Sequence, residues 1–380
     1  MIRFLRRDAK SPTSKGAAVP SVDVTPPPDH TPSLAPEAAL ARADELYAQG
    51  EAIEAIALLT ASNATRRDHR IERRLVTMRF DAFQAARWPQ TRPAVPGAVE
   101  DLFPGAVIPE IGPADLDVAH VRSALLNHGS LIVRGLVGPE RVAQLTADID
   151  RALAGYDAWF AGKGLATAAP WFEPFAHEPK KVERKFRRDV GGVLVVDSPP
   201  SLFDVIDTFD AAGIRRIVTE FFGEQPALLA KKWTLRRVPH DTGDSGWHQD
   251  GSFMGGDIRS LNVWLALSHC GDNAPGLDVV GRRLDDIVPT GTEGAWLDWN
   301  VSPLMVEQVA PGAVVRPIFE PGDALVFDHF NLHRTAAGPD MTNDRYAIEA
   351  WFLAPSTYEL MMAGDGAEGA PPRDQLPMIY

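Results

Sequence analysis

Cysteine is nearly missing from this chain: Cys270 stands alone among 380 residues. It cannot close an internal disulfide, so a fold stapled by cross-links is excluded and nothing points to an oxidising compartment. Long apolar runs are missing too. None approaches the roughly 18–20 residues a helix needs to cross a bilayer. Positive charge is in deficit, with 38 Lys and Arg against 51 Asp and Glu and a formal net charge of -13. That average charge repels polyanions, so neither nucleic acid nor an acidic membrane surface is an expected partner. The opening Met1-Ile2-Arg3-Phe4-Leu5-Arg6-Arg7 is basic, but no apolar segment follows it. It reads as a solvated tail rather than a secretory signal, and a cytoplasmic location is expected.

What is present is enough apolar material, 45% of residues, for a sizeable core. Residues 1–36 are rich in Pro, Ser and Ala, bury little, and read as a flexible tail. From 37 to 88 the pattern is helical. Ala39, Leu40, Ala43, Leu46 and Tyr47 recur at helical spacing, Gly50 interrupts, and two further helices are expected around Ala52–Leu59 and Ile71–Phe83. The run ALARADELYAQGEAIEAIALL resembles one tetratricopeptide-type helical hairpin, too short to build a solenoid. It is expected to cap the main domain or to make a homodimer or partner-protein contact. A proline-rich connector spans 89–113. Helices are then expected at 118–126, from Pro139 through 142–153, and at 201–222, with a short strand at 130–134 between the first two. Strands are expected at 227–238, 260–268, 277–280, 313–318, 324–328 and 346–353, separated by Gly, Pro, Asn and Asp. The fold class is therefore α+β, with a sandwich or barrel of jelly-roll type over 89–380.

The chemistry is carried by Trp247-His248-Gln249-Asp250-Gly251. In extended backbone, residues two apart point to one face, so His248 and Asp250 converge. Two imidazoles and one carboxylate on one face of a divalent ion leave three positions open, an arrangement suited to non-haem iron. Downstream, Pro321-Gly322-Asp323 turns into an apolar strand followed by His333, a source for the third ligand. His329, four residues earlier, shares a strand face with it and competes on spacing alone. Arg345 opens the apolar strand to Leu353, and a buried guanidinium there demands an anion.

The order of His-x-Asp, strand, long insertion, Gly-Asp strand, His and Arg resembles the phytanoyl-CoA hydroxylase-like family of Fe(II)- and 2-oxoglutarate-dependent dioxygenases. The resemblance runs from about Leu116 to Pro355, and VRSALLNHGSLIVRGLVGPERVAQL looks like that family's helix–strand–helix opening. It implies a double-stranded β-helix (jelly-roll, cupin-like) core with flanking helices. His248, Asp250 and His333 would bind Fe(II). Arg345 would hold the far carboxylate of 2-oxoglutarate, assisted by the hydroxyl of Thr335. Trp264 would line the co-substrate pocket, with Asn262 on its face. The implied reaction consumes O2 and a small-molecule substrate and releases succinate and CO2, and the presence of Asp250 favours hydroxylation over halogenation. The segment Asn273–Arg283 departs from the family's pattern, and the step from His333 to Arg345 is slightly long. Two other readings use the same residues. A cupin-like isomerase or lyase on zinc or manganese would have no use for Arg345. A non-catalytic binding module would have no reason to keep three ligands.

Overall fold

The computed structural model describes residues 34–88, 98–178, 180–363 and 375–380. Most of the expected tail, residues 1–33, and residues 89–97 of the proline-rich connector lie outside the described residues.

Three helices open the described chain: Pro36–Ala48, Ala52–Thr65 and His69–Ala85. Proline at the first helical position starts the first, and Gly50, at φ +87°, makes the turn into the second. Asp68 caps the third, accepting from the Arg70 amide at 2.9 Å. The buried faces, Ala39, Ala43 and Leu46 against Ile56 and Leu59, follow the helical spacing of the sequence. The third helix packs on helix Pro199–Ala211 and strand Pro377–Ile379. Arg67 reinforces that docking through Asp207 at 2.8 Å and the Pro200 carbonyl at 3.0 Å. The helical segment is thus a cap on the body.

Two expected elements are each split in two. The helix over 201–222 is Pro199–Ala211 and Ile214–Phe222, parted at Gly213, whose φ of +76° no helix accepts. The strand over 227–238 is Ala227–Leu229 and Thr234–Val238. A turn separates them, with the amides of Lys232 and Trp233 both donating to the Leu229 carbonyl. The turn lets the two pieces pair with opposite halves of one long strand, Arg345–Leu353.

That long strand is central to a nine-stranded sheet that is antiparallel except where Glu110–Ile111 runs beside Ser130–Val133. Strand Ser260–Ala266 lies between Arg345–Leu353 and Ala324–Phe327, which in turn pairs with Ser130–Val133. A second sheet holds His333–Ala336, Gly276–Val280 and Val314–Val315. Strand His333–Ala336 was not expected. Its residues, His-Arg-Thr-Ala, carry no apolar alternation, and it forms because Gly276–Val280 offers its backbone.

Directly paired residues of antiparallel strands share a face. The register therefore puts Arg345, Glu349 and Trp351 on the same side as Asn262 and Trp264, Phe327, and Thr234 and Arg236. The His333 ring meets Phe327 edge-on at 4.9 Å, and the Arg345 guanidinium reaches Gly276. This face of the large sheet therefore fronts the small one. No helix among the described residues is long and apolar enough to cross a membrane.

Candidate metal centre

His248 and His333 come from segments far apart in sequence, joined by an isolated antiparallel bridge. Each amide donates to the other's carbonyl at 3.0 Å. Backbone pairing places the two side chains on one face, with ring centroids 4.5 Å apart. Gln249 points the other way. Its amide donates to the carbonyls of Asp286 at 3.0 Å and Phe330 at 2.7 Å, while its oxygen accepts from Val288 N at 2.6 Å. Asp250 then returns to the face of His248, as the two-residue period demands. Gly251 turns the chain away, and a Cβ there would collide with Ile287.

One ligand atom each of His248, Asp250 and His333 lies within 4.8 Å of the others, so the three could hold a metal ion. The second nitrogens decide which atoms are left to meet an ion. His248 Nδ1 lies 3.0 Å from the Gly246 carbonyl and His333 Nδ1 lies 3.1 Å from the Asn331 carbonyl. A carbonyl only accepts, so each Nδ1 carries the proton and each Nε2 presents its lone pair. Burial and the neighbouring His248 push the His333 imidazole down to about 4, leaving it neutral at pH 7 as a ligand must be. For Asp250 burial opposes ionisation. Lys232 and the two imidazoles outweigh it and hold the carboxyl well below the usual carboxylate range.

His329 is not in this group. Its ring nitrogens are engaged by Ser260 Oγ at 3.1 Å and the Gly256 carbonyl at 3.2 Å. His240 pairs with Asp344, and His269 with Asp272 and Glu320.

Arg345 is buried, 1% exposed. Nη1 donates to the carbonyls of Gly276 at 2.8 Å and Pro275 at 3.3 Å, and the guanidinium carbon lies 5.6 Å from the centre of the Trp264 ring. Its Nε has no hydrogen-bond partner, and none of the ion pairs among the described residues includes Arg345. Gly276 pairs with Ala336, next to Thr335, so the guanidinium lies beside the strand that begins with His333. Thr335 is half-buried two residues past His333, on its face, and its amide donates to Ser245 Oγ at 2.7 Å. No hydrogen bond joins Thr335 to Arg345 among the described residues. Trp264 is buried with its indole nitrogen unpartnered, and Asn262 accepts from the Ala350 amide at 3.3 Å.

Several residues here escaped the sequence reading of their roles. Lys232 puts Nζ 2.5 Å from Asp250 Oδ1. Arg236 is an inward residue paired with Glu349 at 2.8 Å. Arg187 donates to the Lys231 carbonyl at 2.6 Å. Alternation along Thr234–Val238 was the available signal for Arg236; the turn hid Lys232. The long insertion is tethered beside the metal turn by the Trp247–Val301 bridge. Trp299 lies 6.1 Å from the His248 ring and 5.6 Å from Phe253 and is itself partly exposed, as Trp296 and Leu297 are more fully. A separate cavity of about 620 Å³, lined by Arg259, Arg283, His329 and Phe330 among others, contains none of the three candidate ligands.

The profile of the phytanoyl-CoA dioxygenase (PhyH) family matches residues 125–344. Among solved structures, AviO1 from Streptomyces viridochromogenes Tue57 aligns at 18% identity over 63% of this chain and 96% of its own, with a TM-score of 0.41. EvdO2 from Micromonospora carbonacea var. aurantiaca aligns at 17% identity over 62% and 89%, with a TM-score of 0.41. The epimerase SnoN, crystallised with Fe3+, alpha ketoglutarate and nogalamycin RO, aligns at 16% identity over 67% and 92%, with a TM-score of 0.40. No curated protein matches the chain.

Proposed function

Because this chain belongs to the phytanoyl-CoA dioxygenase (PhyH) family, we propose that it is an Fe(II)- and 2-oxoglutarate-dependent oxygenase, with iron on His248, Asp250 and His333. One observation carries the reading. Three converging ligand atoms lie in the same interior as a buried arginine with no carboxylate partner. The donor set, two neutral imidazoles and one carboxylate, fits iron(II) with three positions to spare. The orphaned Arg345 fits a dicarboxylate whose other end chelates the metal. Zinc or manganese chemistry without that co-substrate would leave a buried positive charge unexplained.

Bound iron and 2-oxoglutarate would activate O2, one oxygen atom going to succinate as 2-oxoglutarate loses CO2 and the other to a C–H bond of a small organic molecule, which is hydroxylated. The chain's own residues do the rest. Gly246 and Asn331 fix the imidazole tautomers. Arg345 would hold the far carboxylate of 2-oxoglutarate, and Thr335, Trp264 and Asn262 would line its pocket. Trp299 and Phe253 wall the side of His248, shielding the centre from water and offering an apolar surface to substrate. The two sheets act as the two walls of a jelly roll.

Anaerobic addition of Fe(II) and 2-oxoglutarate should raise a weak visible charge-transfer band, which Asp250→Ala or His333→Ala abolishes. Admitting O2 should yield succinate. A wild-type protein with no band and no succinate would refute the proposal.

A further inference from the structure

Asp250 has two carboxylate oxygens, and the fold treats them differently. Oδ1 accepts from Lys232 Nζ at 2.5 Å. Oδ2 lies on the side of His333, 3.7 Å from its Nε2. One oxygen is thus held by an ammonium, and the other points at the place where the imidazoles converge.

The lysine is held by its surroundings. It sits in the turn between Ala227–Leu229 and Thr234–Val238, where its amide donates to the Leu229 carbonyl at 2.7 Å. On one side, Lys231 is drawn away into an ion pair with Glu178 at 2.8 Å, and its carbonyl accepts from Arg187 at 2.6 Å. On the other side, Trp233 donates its indole N–H to the Trp351 carbonyl at 2.7 Å. With both neighbours pinned, the side chain of Lys232 is directed at Asp250. Its Nζ lies 4.9 Å from the centre of the Phe253 ring, three residues past the carboxylate. A solvated surface lysine has no such constraints, and an ion pair formed by chance would not need a turn fixed on both sides.

We propose that Lys232 is a positioning residue for the metal carboxylate: by holding Oδ1 it keeps Asp250 a one-oxygen ligand and preserves the open positions that the co-substrate and O2 need. The inference rests on the oxygenase reading above. Without Lys232, both oxygens are free to turn to the ion, and a two-oxygen carboxylate occupies one of the three open positions. Removing the ammonium also removes its repulsion of the metal cation. Loss of Lys232 should therefore tighten metal binding while impairing turnover. A merely structural residue would weaken both.

The test compares wild type with Lys232→Met and Lys232→Arg. Co(II) is titrated into apo-protein, and its visible absorption reports both affinity and coordination number. Lys232→Met should bind Co(II) more tightly, by roughly tenfold, because an ammonium no longer repels the cation, and should show a changed spectrum. Its kcat should fall roughly tenfold or more, with the KM for 2-oxoglutarate within about threefold of wild type. Lys232→Arg should restore the wild-type spectrum and most of kcat. An unchanged Co(II) spectrum in Lys232→Met, or weaker Co(II) binding at an undiminished melting temperature, overturns the proposal. Should Lys232→Met fail to fold, Lys232→Gln takes its place: a changed spectrum with tighter Co(II) binding supports the proposal, and an unchanged spectrum overturns it. The Co(II) readout needs neither 2-oxoglutarate nor turnover. Absence of succinate in every protein would remove the oxygenase reading and still leave Lys232 decided by the spectrum.

Discussion

Replacing Arg345 with Met should separate two quantities that usually fall together, stability and ligand affinity. The guanidinium is buried and, among the described residues, makes two carbonyl hydrogen bonds, through Nη1, and leaves Nε unpartnered. Burial pushes its pKa down to about 10, the direction expected for a cation kept from water without a partner carboxylate. Removing such a charge in favour of an apolar side chain of similar volume is often neutral or stabilising. Loss of the bonds to Pro275 and Gly276 offsets part of that gain. The apo-protein should therefore melt no lower than wild type. With 2-oxoglutarate the outcome reverses. A two-pronged guanidinium–carboxylate contact contributes two charge-assisted hydrogen bonds of about 1.5–3 kcal/mol each. Their loss corresponds to roughly a hundredfold to ten-thousandfold weaker binding at about 1.4 kcal/mol per decade. Calorimetry with 2-oxoglutarate on Co(II)-loaded protein reads the affinity, and thermal melts of the apo-protein read the stability. A lower melting temperature together with less than about tenfold loss of affinity would show that Arg345 merely ties its strand to residues 275–276, and would refute the reasoning.

Other perturbations follow from the same geometry. His329→Phe should leave metal stoichiometry unchanged and cost about 1–3 kcal/mol of stability through Ser260 and Gly256, which lose their partner; loss of the metal would make His329 a ligand. Gln249→Leu deletes three buried hydrogen bonds between the metal turn and residues 286–288 and 330, and should lower stability by about 2–4 kcal/mol and loosen Co(II) binding. A melting temperature matching wild type would contradict that. Asp148 is pushed from 3.8 up to about 6 by burial and the Asp204 carboxylate. A raised carboxyl keeps its proton in the folded state, so its contribution is intact below about pH 3.8 and lost as pH rises through about 6. Asp148→Asn should thus raise the melting temperature near pH 8 more than near pH 4, and equal shifts would refute the assignment.

The convergence of the candidate ligands was legible because their geometry is local. A two-residue period puts His248 and Asp250 together, and an apolar run ending in a turn delivers His333. The choice between His329 and His333 was not decidable from spacing, since the two differ in what their ring nitrogens meet, Ser260 and Gly256 for one and the Asn331 carbonyl and Asp250 for the other. Lys232 was hidden because residues 227–238 read as one strand, and alternation cannot be followed through an unrecognised turn. Strand His333–Ala336 was invisible for a different reason: it borrows its regularity from Gly276–Val280, and its own residues are polar. The pairing of Arg236 with Glu349 was invisible because nothing local says that residues 113 apart in the chain neutralise each other. The three opening helices were legible in place, since their apolar spacing and Gly50 are local signals, although the second runs on past the expected Leu59 to Thr65. Their docking through Arg67 onto Asp207 and Pro200 depends on partners more than 130 residues away.

The most direct measurement is anomalous diffraction at the iron edge from anaerobic crystals grown with Fe(II). One peak is expected at bonding distance, about 2.0–2.2 Å, from Nε2 of His248, Nε2 of His333 and a single oxygen of Asp250. A peak elsewhere in the molecule, or one lacking any of these three atoms in its coordination shell, would contradict the proposed centre.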